Sequence, residues 1–366
     1  MKKVLILVNH DIVIYNFRLE IVQRLLKEGY EVHISSPYGE RIDDLIDIGC
    51  HYVEAEIARH GTNLIEEAKL FLYYRKTIKD VKPDIILSFT IKPNIYGGMA
   101  ARIEGIPYIA NITGLGSAVE NEGLLQKISL MLYKLAFKKV SCVFFQNEEN
   151  KQFFIDNNIA SEKHRLIPGS GVNLEHFQVL EYPPEESVEF VFISRIMKEK
   201  GIEQYLEAAK YIKGKYPNTK FHICGFCEED YENRLAEFQE EGIIIYHGMV
   251  RDIKQIIAKA HCTIHPTYYP EGMSNVLLES AACGRPLITT DRSGCREIVD
   301  HDINGYLIEV KNTQDLIKKI EVFLGLNYRD KMNMGLASRE KVENEFDRKI
   351  VVNAYLEQII QEIGEV

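Results

Sequence analysis

Two glutamates separated by seven residues, Glu271 and Glu279, are the side chains of this sequence best placed to do chemistry. An apolar, strand-like run and a Pro-Glu-Gly turn lead up to Ser274, a favourable N-cap for a following helix. Backbone N–H groups at the start of a helix bind phosphate oxygens. We therefore expect the amides of Asn275 and Val276 to hold the diphosphate of a nucleotide.

The two glutamates would then address different parts of the same bound molecule. Glu279 follows Asn275 and Val276 by four and three residues, so it lies on the same helical face one turn deeper. From there it can reach a hydroxyl of the group that carries the phosphates. Glu271 precedes the helix, so its carboxylate projects beside the phosphates, where a transferred group must lie.

A second set of charged residues follows an apolar run in the second half of the chain. Arg195 and Lys200 lie in the segment 194–201, between a predicted strand and a helix predicted over 202–212. Cations on such a strand-to-helix loop can neutralise a diphosphate leaving group. A solvated charge run is the alternative interpretation of these residues.

Short apolar runs alternate with amphipathic helical stretches along the whole sequence, which predicts an α/β fold with parallel sheets covered by helices. The predicted strands of the first half are 4–8, 32–35, 85–89, 108–112 and 142–146. Those of the second half are 190–194, 221–224, 243–246, 262–265 and 287–289. Two doubly wound domains follow from this pattern.

A stretch rich in glycine, proline and charge at 167–186 marks the linker between the two domains. We predict a first domain over 1–172, a second over 173–346, and a C-terminal helix over 347–366. Because ligands of doubly wound sheets bind beyond the carboxyl ends of the strands, we expect the site in a cleft between the domains.

Composition limits the functional classes. The 366 residues carry a net charge of −10, which argues against nucleic acid as a partner. The first apolar run, 4–8, is too short for a signal peptide or a membrane span. Seven cysteines without a disulfide spacing suit a reducing compartment. We therefore expect a cytoplasmic protein.

The motif around the two glutamates identifies a family resemblance. The segment 271–279, the following Ala-Cys-Gly-Arg-Pro-Leu-Ile-Thr-Thr, and 294–299 together resemble the signature of retaining glycosyltransferases of family 4, which share the two-domain GT-B fold. That fold implies a first domain that binds the acceptor, a second that binds the donor, and a C-terminal helix that packs back on the first. In the first half, 15–19, 92–97, 114–117 and 132–138 resemble the subgroup that builds bacterial capsule, O-antigen and lipid-linked oligosaccharides.

The resemblance implies transfer of a sugar from a nucleotide sugar, and by analogy with the subgroup we expect a UDP-linked one. It places Arg195 and Lys200 on the diphosphate, Glu279 on the ribose and Glu271 on the sugar. The donor site that it implies also includes Gly272, Met273, Ser274, Asn275 and Val276. An N-acetylhexosamine is a candidate sugar, because similar lipid-linked enzymes use one.

This sequence departs from the family at two places. Many members carry a histidine where this chain has Thr113, and we hypothesise that Thr113 or the adjacent Gly114 seats the sugar. The N-terminal glycine pair common in the family is replaced here by the segment 14–18. The amides of Asn16 and Phe17 are our candidates for the phosphate contacts of that segment.

Neither a metal nor a cofactor is expected for the transfer. The single Asp-x-Asp, Asp300 to Asp302, continues into Ile-Asn-Gly and is typical of a surface turn. The resemblance likewise implies a metal-independent enzyme, because GT-B enzymes generally stabilise the diphosphate with side chains and helix ends.

The expected acceptor is a lipid-linked or growing surface glycan. The segment 127–139 is basic and apolar and would suit an anionic membrane surface. A peripheral location on the inner face of the plasma membrane is implied by the subgroup resemblance more than by this segment. A helix packed on the sheet with solvated lysines explains the same segment equally well.

Two other functions are compatible with the same sequence features. A nucleotide-sugar 2-epimerase would share the fold and donor site but would need no acceptor. A non-catalytic nucleotide-sugar-binding subunit of a polysaccharide assembly complex is a further alternative. A dehydrogenase is disfavoured, because no G-x-G-x-x-G follows the first strand.

Overall fold

The computed structural model describes residues 1–55, 64–116, 119 and 123–366. The chain forms two compact units. The first comprises Met1–Gly171, Pro270–Met273 and Arg348–Val366, and the second comprises Val172–Tyr269 and Ser274–Asp347. The short segment Pro270–Met273 thus belongs to the first unit. The division predicted from the sequence places it in the second domain, 173–346.

The first unit is built on a seven-stranded sheet in which every pair of neighbours is parallel. Its strands are β1 (Lys3–Leu7), β2 (Glu31–Ser36), β3 (His51–Glu54), β4 (Ile85–Phe89), β5 (Tyr108–Ile112), β6 (Cys142–Phe145) and β7 (His164–Leu166), in the order β3-β2-β1-β4-β5-β6-β7. Within the described residues, the α-helices of this unit are Asp11–Phe17, Leu19–Lys27, Ile42–Asp47, Leu64–Val81, Gly98–Glu104, Leu124–Ala136, Glu148–Asp156 and Arg348–Ile363.

The second unit repeats this plan with a six-stranded parallel sheet. Its strands are β8 (Val188–Ile193), β9 (Thr219–Cys224), β10 (Ile245–Tyr246), β11 (Cys262–His265), β12 (Leu287–Thr290) and β13 (Gly305–Ile308), in the order β10-β9-β8-β11-β12-β13. The α-helices are Ile202–Lys215, Glu232–Glu240, Lys254–Ile257, Asn275–Ala282, Thr313–Gly325 and Tyr328–Glu345.

Burial on both faces explains why the central strands are continuous apolar runs. All residues of β4, β5, β6, β11 and β12 are buried, as expected for parallel sheets covered by helices. The strand order reverses at the β1/β4 pair in the first sheet and at the β8/β11 pair in the second. Ligands of doubly wound sheets bind beyond the carboxyl ends of strands at such switch points.

The C-terminal helix Arg348–Ile363 is part of the core of the first unit. The ring of Tyr355 lies 4.6 Å from that of Phe144 between ring centroids, and its hydroxyl accepts a 2.6 Å hydrogen bond from Nδ2 of Asn111. At the helix start, Nη1 of Arg348 lies 2.9 Å from a carboxylate oxygen of Glu20. Both apolar and charged contacts therefore fix this helix.

The predicted α/β fold with two doubly wound domains is confirmed, and the ten predicted strands are all present. Three strands were not predicted, namely β3, β7 and β13. They lie at sheet edges, and at least half of the residues in each of β3 and β7 are exposed. The turn predicted from Asp300 to Asp302 is present, with a left-handed φ of 65° at Asp302.

Candidate functional site

Two cations lie beside one aromatic ring in the second unit. Lys200 closes a 3₁₀ turn, Lys198–Lys200, and its side chain is buried. Its Nζ lies 4.4 Å from the centroid of the Tyr269 ring, and Cζ of Arg195 lies 5.4 Å from that centroid. Cation–π attraction of this kind helps to hold two like charges close together at one ring.

Backbone packing fixes the loop that carries Lys200. Gly201 has a left-handed φ of 82°, and a Cβ on it would lie 2.1 Å from the carbonyl oxygen of Pro266. The N–H of Tyr268 donates a 2.8 Å hydrogen bond to the carbonyl of Glu199. The loop after β8 is therefore docked on the segment after β11, at the switch point of the second sheet.

Arg195 is held less tightly than Lys200. It lies directly beyond β8, is about half-exposed, and places Nη1 3.3 Å from Oε1 of Glu228. The adjacent carbonyl of Ser194 packs on Gly225, where a Cβ would lie only 1.7 Å from that oxygen. The main chain at Arg195 is thus fixed while its guanidinium keeps access to solvent.

The helix Asn275–Ala282 begins where the sequence predicts. Ser274 occupies the N-cap position, although its side chain makes no capping hydrogen bond, and its N–H donates to the carbonyl of Gly294 at 2.7 Å. The first-turn amides of a helix have no partner within the helix. Asn275, Val276 and Glu279 are all partly exposed on it. These positions suit an anion at the helix start and a hydroxyl one turn deeper.

Glu297 closes the loop that supports Ser274. Its Oε2 accepts a 2.8 Å hydrogen bond from the N–H of Gly294, and its Oε1 lies 3.2 Å from Oγ of Ser293. Gly294 and Glu297 of the sequence motif therefore have a structural role, because they position the start of the helix Asn275–Ala282.

Arg285 is likewise structural. It is fully buried and donates to main-chain carbonyls, including those of Ile257 at 3.0 Å and Glu181 at 2.7 Å. Burial lowers the pKa of its guanidinium from the ordinary value. The Gly-Arg-Pro part of the motif therefore braces the second unit and does not line a ligand site.

Glu271 and Gly272 pack within the first unit against the loops that follow β5 and β6. A Cβ on Gly272 would lie 2.2 Å from the carbonyl oxygen of Thr113 and 2.5 Å from Oε1 of Gln146. Nδ2 of Asn147 donates to the carbonyls of Glu271 at 3.2 Å and Gly272 at 2.6 Å. The backbone at Glu271 is therefore fixed by side chains of the first sheet.

Thr113, one of the places where this chain departs from the family pattern, and the adjacent Gly114 lie at this same place. Gly114 has a φ of 144°, and a Cβ on it would lie 3.1 Å from the carbonyl oxygen of Pro270. Met273 packs in turn on Gly169. Five of the predicted site residues are thus brought together in the first unit: Glu271, Gly272, Met273, Thr113 and Gly114.

Asn16 and Phe17 are placed differently from what the sequence predicts. They form the last turn of the helix Asp11–Phe17, where each N–H donates to the carbonyl four residues earlier. Their amides are engaged in the helix, which does not favour them as phosphate ligands. The carbonyl of Asn16 instead accepts from Nη1 of Arg348 at 3.2 Å.

Sequence reasoning missed Asn147 and Tyr269. Asn147 follows β6 and also caps the helix Glu148–Asp156, accepting from the N–H of Asn150 at 2.8 Å. A pair of polar side chains, Gln146 and Asn147, following a fully buried strand was the available signal for Asn147. Tyr269 immediately precedes the glutamate motif, but a lone aromatic residue carried no signal for a cation contact.

No helix within the described ranges has both the length and the apolar character that crossing a bilayer requires. On the surface of the first unit, however, the helix Leu124–Ala136 exposes large apolar side chains at one helical spacing. These are Leu124, Ile128, Met131 and Leu135. Lys127, Lys134 and Lys138 are exposed nearby.

Two family models match the chain and together span most of it. The model described as "Glycosyl transferases group 1" matches residues 176–341, and "Glycosyl transferase 4-like" matches residues 3–147. The donor motif and the cationic loop fall in the first of these, and Thr113, Gly114 and Asn147 in the second.

Curated relatives match over most of their own length. The chain is 29% identical over 94% of both chains to the N,N'-diacetylbacillosaminyl-diphospho-undecaprenol alpha-1,3-N-acetylgalactosaminyltransferase of Campylobacter jejuni. It is 23% identical, over 82% of both chains, to the UDP-Gal:alpha-D-GlcNAc-diphosphoundecaprenol alpha-1,3-galactosyltransferase of Escherichia coli. It is 26% identical, over 90% of both, to the capsular polysaccharide biosynthesis glycosyltransferase CapM of Staphylococcus aureus.

Solved structures share the fold. A glycosyltransferase from Rickettsia africae superposes with a TM-score of 0.83 at 19% identity, covering 100% of this chain and 99% of that one. HepE from Anabaena, solved in complex with UDP-glucose, superposes with a TM-score of 0.80 at 18% identity, covering 99% and 100%. At these identities the likeness establishes the GT-B architecture.

Proposed function

The chain belongs to the group 1, family 4-like glycosyltransferases, and on that premise we propose that it moves a sugar from a UDP-sugar to a lipid-linked acceptor. The observation that carries the proposal is the match to the Campylobacter jejuni enzyme over 94% of both chains. The names of that enzyme and of the Escherichia coli relative both specify a sugar carried on undecaprenol diphosphate. An acceptor of that kind is therefore proposed for this chain.

The proposed donor is a UDP-linked hexose or N-acetylhexosamine. The Escherichia coli relative is named for UDP-Gal, and the Campylobacter jejuni relative for an N-acetylgalactosaminyl group. Both names specify an α-1,3 linkage. Because the hexose of such UDP-sugars is itself α-linked, an α product means transfer with retention, which agrees with the proposed family chemistry.

The proposed roles follow the placement of the site residues. Lys200 and Arg195 neutralise the charge that develops on the departing diphosphate, supported by the amides of Asn275 and Val276. Glu279 accepts hydrogen bonds from the ribose hydroxyls. Glu271, whose backbone Asn147 fixes, accepts from hydroxyls of the donor sugar.

The transfer itself depends on alignment and charge stabilisation more than on a strong base. The acceptor hydroxyl attacks the anomeric carbon on the face from which the diphosphate leaves, and the departing phosphate oxygen takes the acceptor proton. We propose that the reaction requires neither a divalent ion nor a cofactor.

We further propose that the protein works at the inner face of the plasma membrane. The exposed apolar stripe of the helix Leu124–Ala136, with lysines beside it, suits insertion among anionic headgroups. The basic residues of the helix Leu64–Val81 contribute less, because Arg75 and Lys79 lie against Glu104 and Lys69 against Glu66. A lipid-linked acceptor would be met at that surface.

The 2-epimerase and the non-catalytic subunit are not favoured. The long matches are to proteins named as transferases, and this chain carries both glutamates together with Lys200 and Arg195. Donor turnover without an acceptor would support the epimerase instead.

The donor proposal is tested by thermal shift of the purified protein against UDP, GDP, ADP and a panel of UDP-sugars, all with EDTA present. A ligand that binds only the folded state raises the melting temperature. We expect a shift with UDP and a larger one with a single UDP-sugar. No shift with any nucleotide, or a shift that appears only when a divalent ion replaces EDTA, would contradict the proposed metal-independent donor site.

A further inference from the structure

Two histidines and a glutamate meet near the amino ends of β2 and β3 in the first sheet. In the parallel register of β2 and β3, His33 lies opposite His51. Glu31 precedes His33 by two residues on β2, so both side chains project from the same face of the sheet. Strand pairing therefore places all three side chains together.

The three candidate ligand atoms lie within 4.8 Å of one another. Nε2 of His33 is 2.7 Å and Nε2 of His51 is 3.9 Å from Oε1 of Glu31. The two imidazole rings are stacked, with centroids 4.7 Å apart. Zinc binds histidine nitrogen and carboxylate oxygen at about 2.0–2.2 Å, so ligands of one tetrahedral ion lie roughly 3.4 Å apart. Small side-chain rotations would bring the three atoms to that spacing.

The three side chains of the cluster differ in solvent exposure, and the order of exposure suits the entry of an ion. The side chain of His33 is 12% exposed, that of Glu31 24% and that of His51 60%. The inner two groups are held by the sheet while the outer one faces solvent. An ion could therefore enter from the His51 side and keep water as a fourth ligand.

We propose that Glu31, His33 and His51 form a binding site for a zinc-type divalent cation. Imidazole nitrogen favours zinc, cobalt or nickel, whereas magnesium and calcium favour all-oxygen sites. The ion takes the place that the Glu31–His33 hydrogen bond occupies in its absence. Nζ of Lys3, 3.5 Å from Oε1 of Glu31, turns away to solvent when the ion binds.

The site is separate from the proposed transfer chemistry. It lies at the amino edge of the first sheet, whereas Thr113 and Asn147 follow the carboxyl ends of β5 and β6. Its effect would be to tie the edge strand β3 to β2, which stabilises the fold in proportion to metal occupancy. Among the residues that the structure describes, this is the single cluster of three such ligands at this spacing.

The test uses tag-free full-length protein stripped with EDTA and exchanged into metal-free buffer. Zinc binding is measured by calorimetry, cobalt binding by visible absorption, and stability by melting temperature with and without zinc. The variants are His51→Gln and Glu31→Gln. His176→Gln is the matched control, because His176 is an exposed histidine outside the cluster.

We expect one zinc ion per chain and a melting temperature that rises with zinc. The His51→Gln and Glu31→Gln variants should bind at least about tenfold more weakly, because even the loss of a group that only supports a ligand costs about 10- to 100-fold in metal affinity, and they should lose the thermal shift. His176→Gln should match the parent, and magnesium should have no effect. Equal zinc affinity in the parent and in His51→Gln, an absence of binding, or a cobalt–thiolate absorption band would overturn the proposal.

Discussion

At the scale of single residues, the burial of Lys200 beside the Tyr269 ring distinguishes it from the solvent-facing lysines around it. An ammonium held in such surroundings acts on a diphosphate with little screening by water. Arg195, half-exposed and paired with Glu228, is free to adjust when a ligand arrives. The two cations therefore have different expected contributions to the transfer.

The Lys200→Met variant tests the buried cation, because methionine keeps most of the apolar stem and removes the charge. We expect a fall in turnover of about 10²- to 10³-fold, the usual cost of removing one preorganised charge-stabilising group. Lys198→Met is the matched control, since Lys198 is exposed on the same 3₁₀ turn. Steady-state rates with the preferred UDP-sugar make the comparison, and equal losses in both variants would contradict the assigned role.

The two glutamates should separate binding from turnover. Removing a hydrogen bond to a charged group costs about 1.5–3 kcal/mol, so Glu279→Ala should weaken UDP binding by roughly 10- to 100-fold. Glu271→Ala should leave UDP binding nearly unchanged and chiefly lower turnover, because UDP lacks the sugar that Glu271 contacts. Calorimetry with UDP measures binding, and initial rates on the same samples measure turnover. Equal loss of UDP affinity in the two variants would contradict this division of roles.

At the scale of elements, loops that follow parallel strands carry the site, and glycines allow their close packing. Gly201→Ala should lower the melting temperature, since alanine is strained at this φ by about 1–3 kcal/mol and its Cβ meets the Pro266 carbonyl. Gly214→Ala is the control, because Gly214 lies in the helix Ile202–Lys215 with open space around it; there alanine should stabilise by about 0.5–1 kcal/mol. Identical melting curves for the two variants would refute this account of the loop.

Acid sensitivity is expected from His261, which joins β11 to β8. Its N–H donates to the carbonyl of Glu189 at 2.7 Å, and its Nδ1 accepts from the N–H of Glu189 at 3.1 Å. The pKa of His261 is lowered to about 4, chiefly by burial of the imidazole. The positive charges of Lys331 and Arg285 also lower this pKa, whereas the Glu189 carboxylate raises it. The unfolded chain takes up the proton near pH 6.5.

The stability due to neutral His261 is therefore complete above pH 6.5 and is lost as the pH falls toward 4. By linkage the loss reaches about 2 kcal/mol at pH 5. Urea unfolding at pH 7 and pH 5 should show this loss in the parent and a smaller one in His261→Asn, whose Oδ1 can accept in place of Nδ1. An unchanged pH dependence in that variant would exclude His261 as the cause.

Burial determines which of the secondary-structure elements can be predicted from the sequence. Buried strands such as β4, β5 and β11 were predicted with their observed bounds, because burial on both faces leaves a continuous apolar run. The edge strands β3 and β7 carry polar, exposed residues, so local pattern did not distinguish them from loops. The Glu271–Glu279 motif marked the helix start, whereas the contact of Asn147 with Glu271 joins residues far apart in sequence and required the tertiary structure.

At the scale of the whole molecule, the proposed acceptor requires the enzyme to meet a membrane. The protein should sediment with vesicles containing anionic lipid and much less with neutral ones. The double variant Ile128→Glu/Met131→Glu should lose this binding, because it places charge on the exposed apolar stripe. Leu336→Glu, at an exposed leucine of the second unit, is the control. Vesicle binding that survives the double variant would exclude this helix as the attachment surface.

The most direct test of the central claim is a transfer assay followed by mass spectrometry. Purified protein is incubated, with EDTA present, with single UDP-sugars and a polyprenyl-diphosphate-linked N-acetylhexosamine. We predict that one UDP-sugar yields a lipid product heavier by a single sugar residue, with equimolar UDP, an α linkage by NMR, and loss of product in Glu271→Ala. UDP release without a glycosylated lipid, or no product with any donor in the panel, would contradict the account.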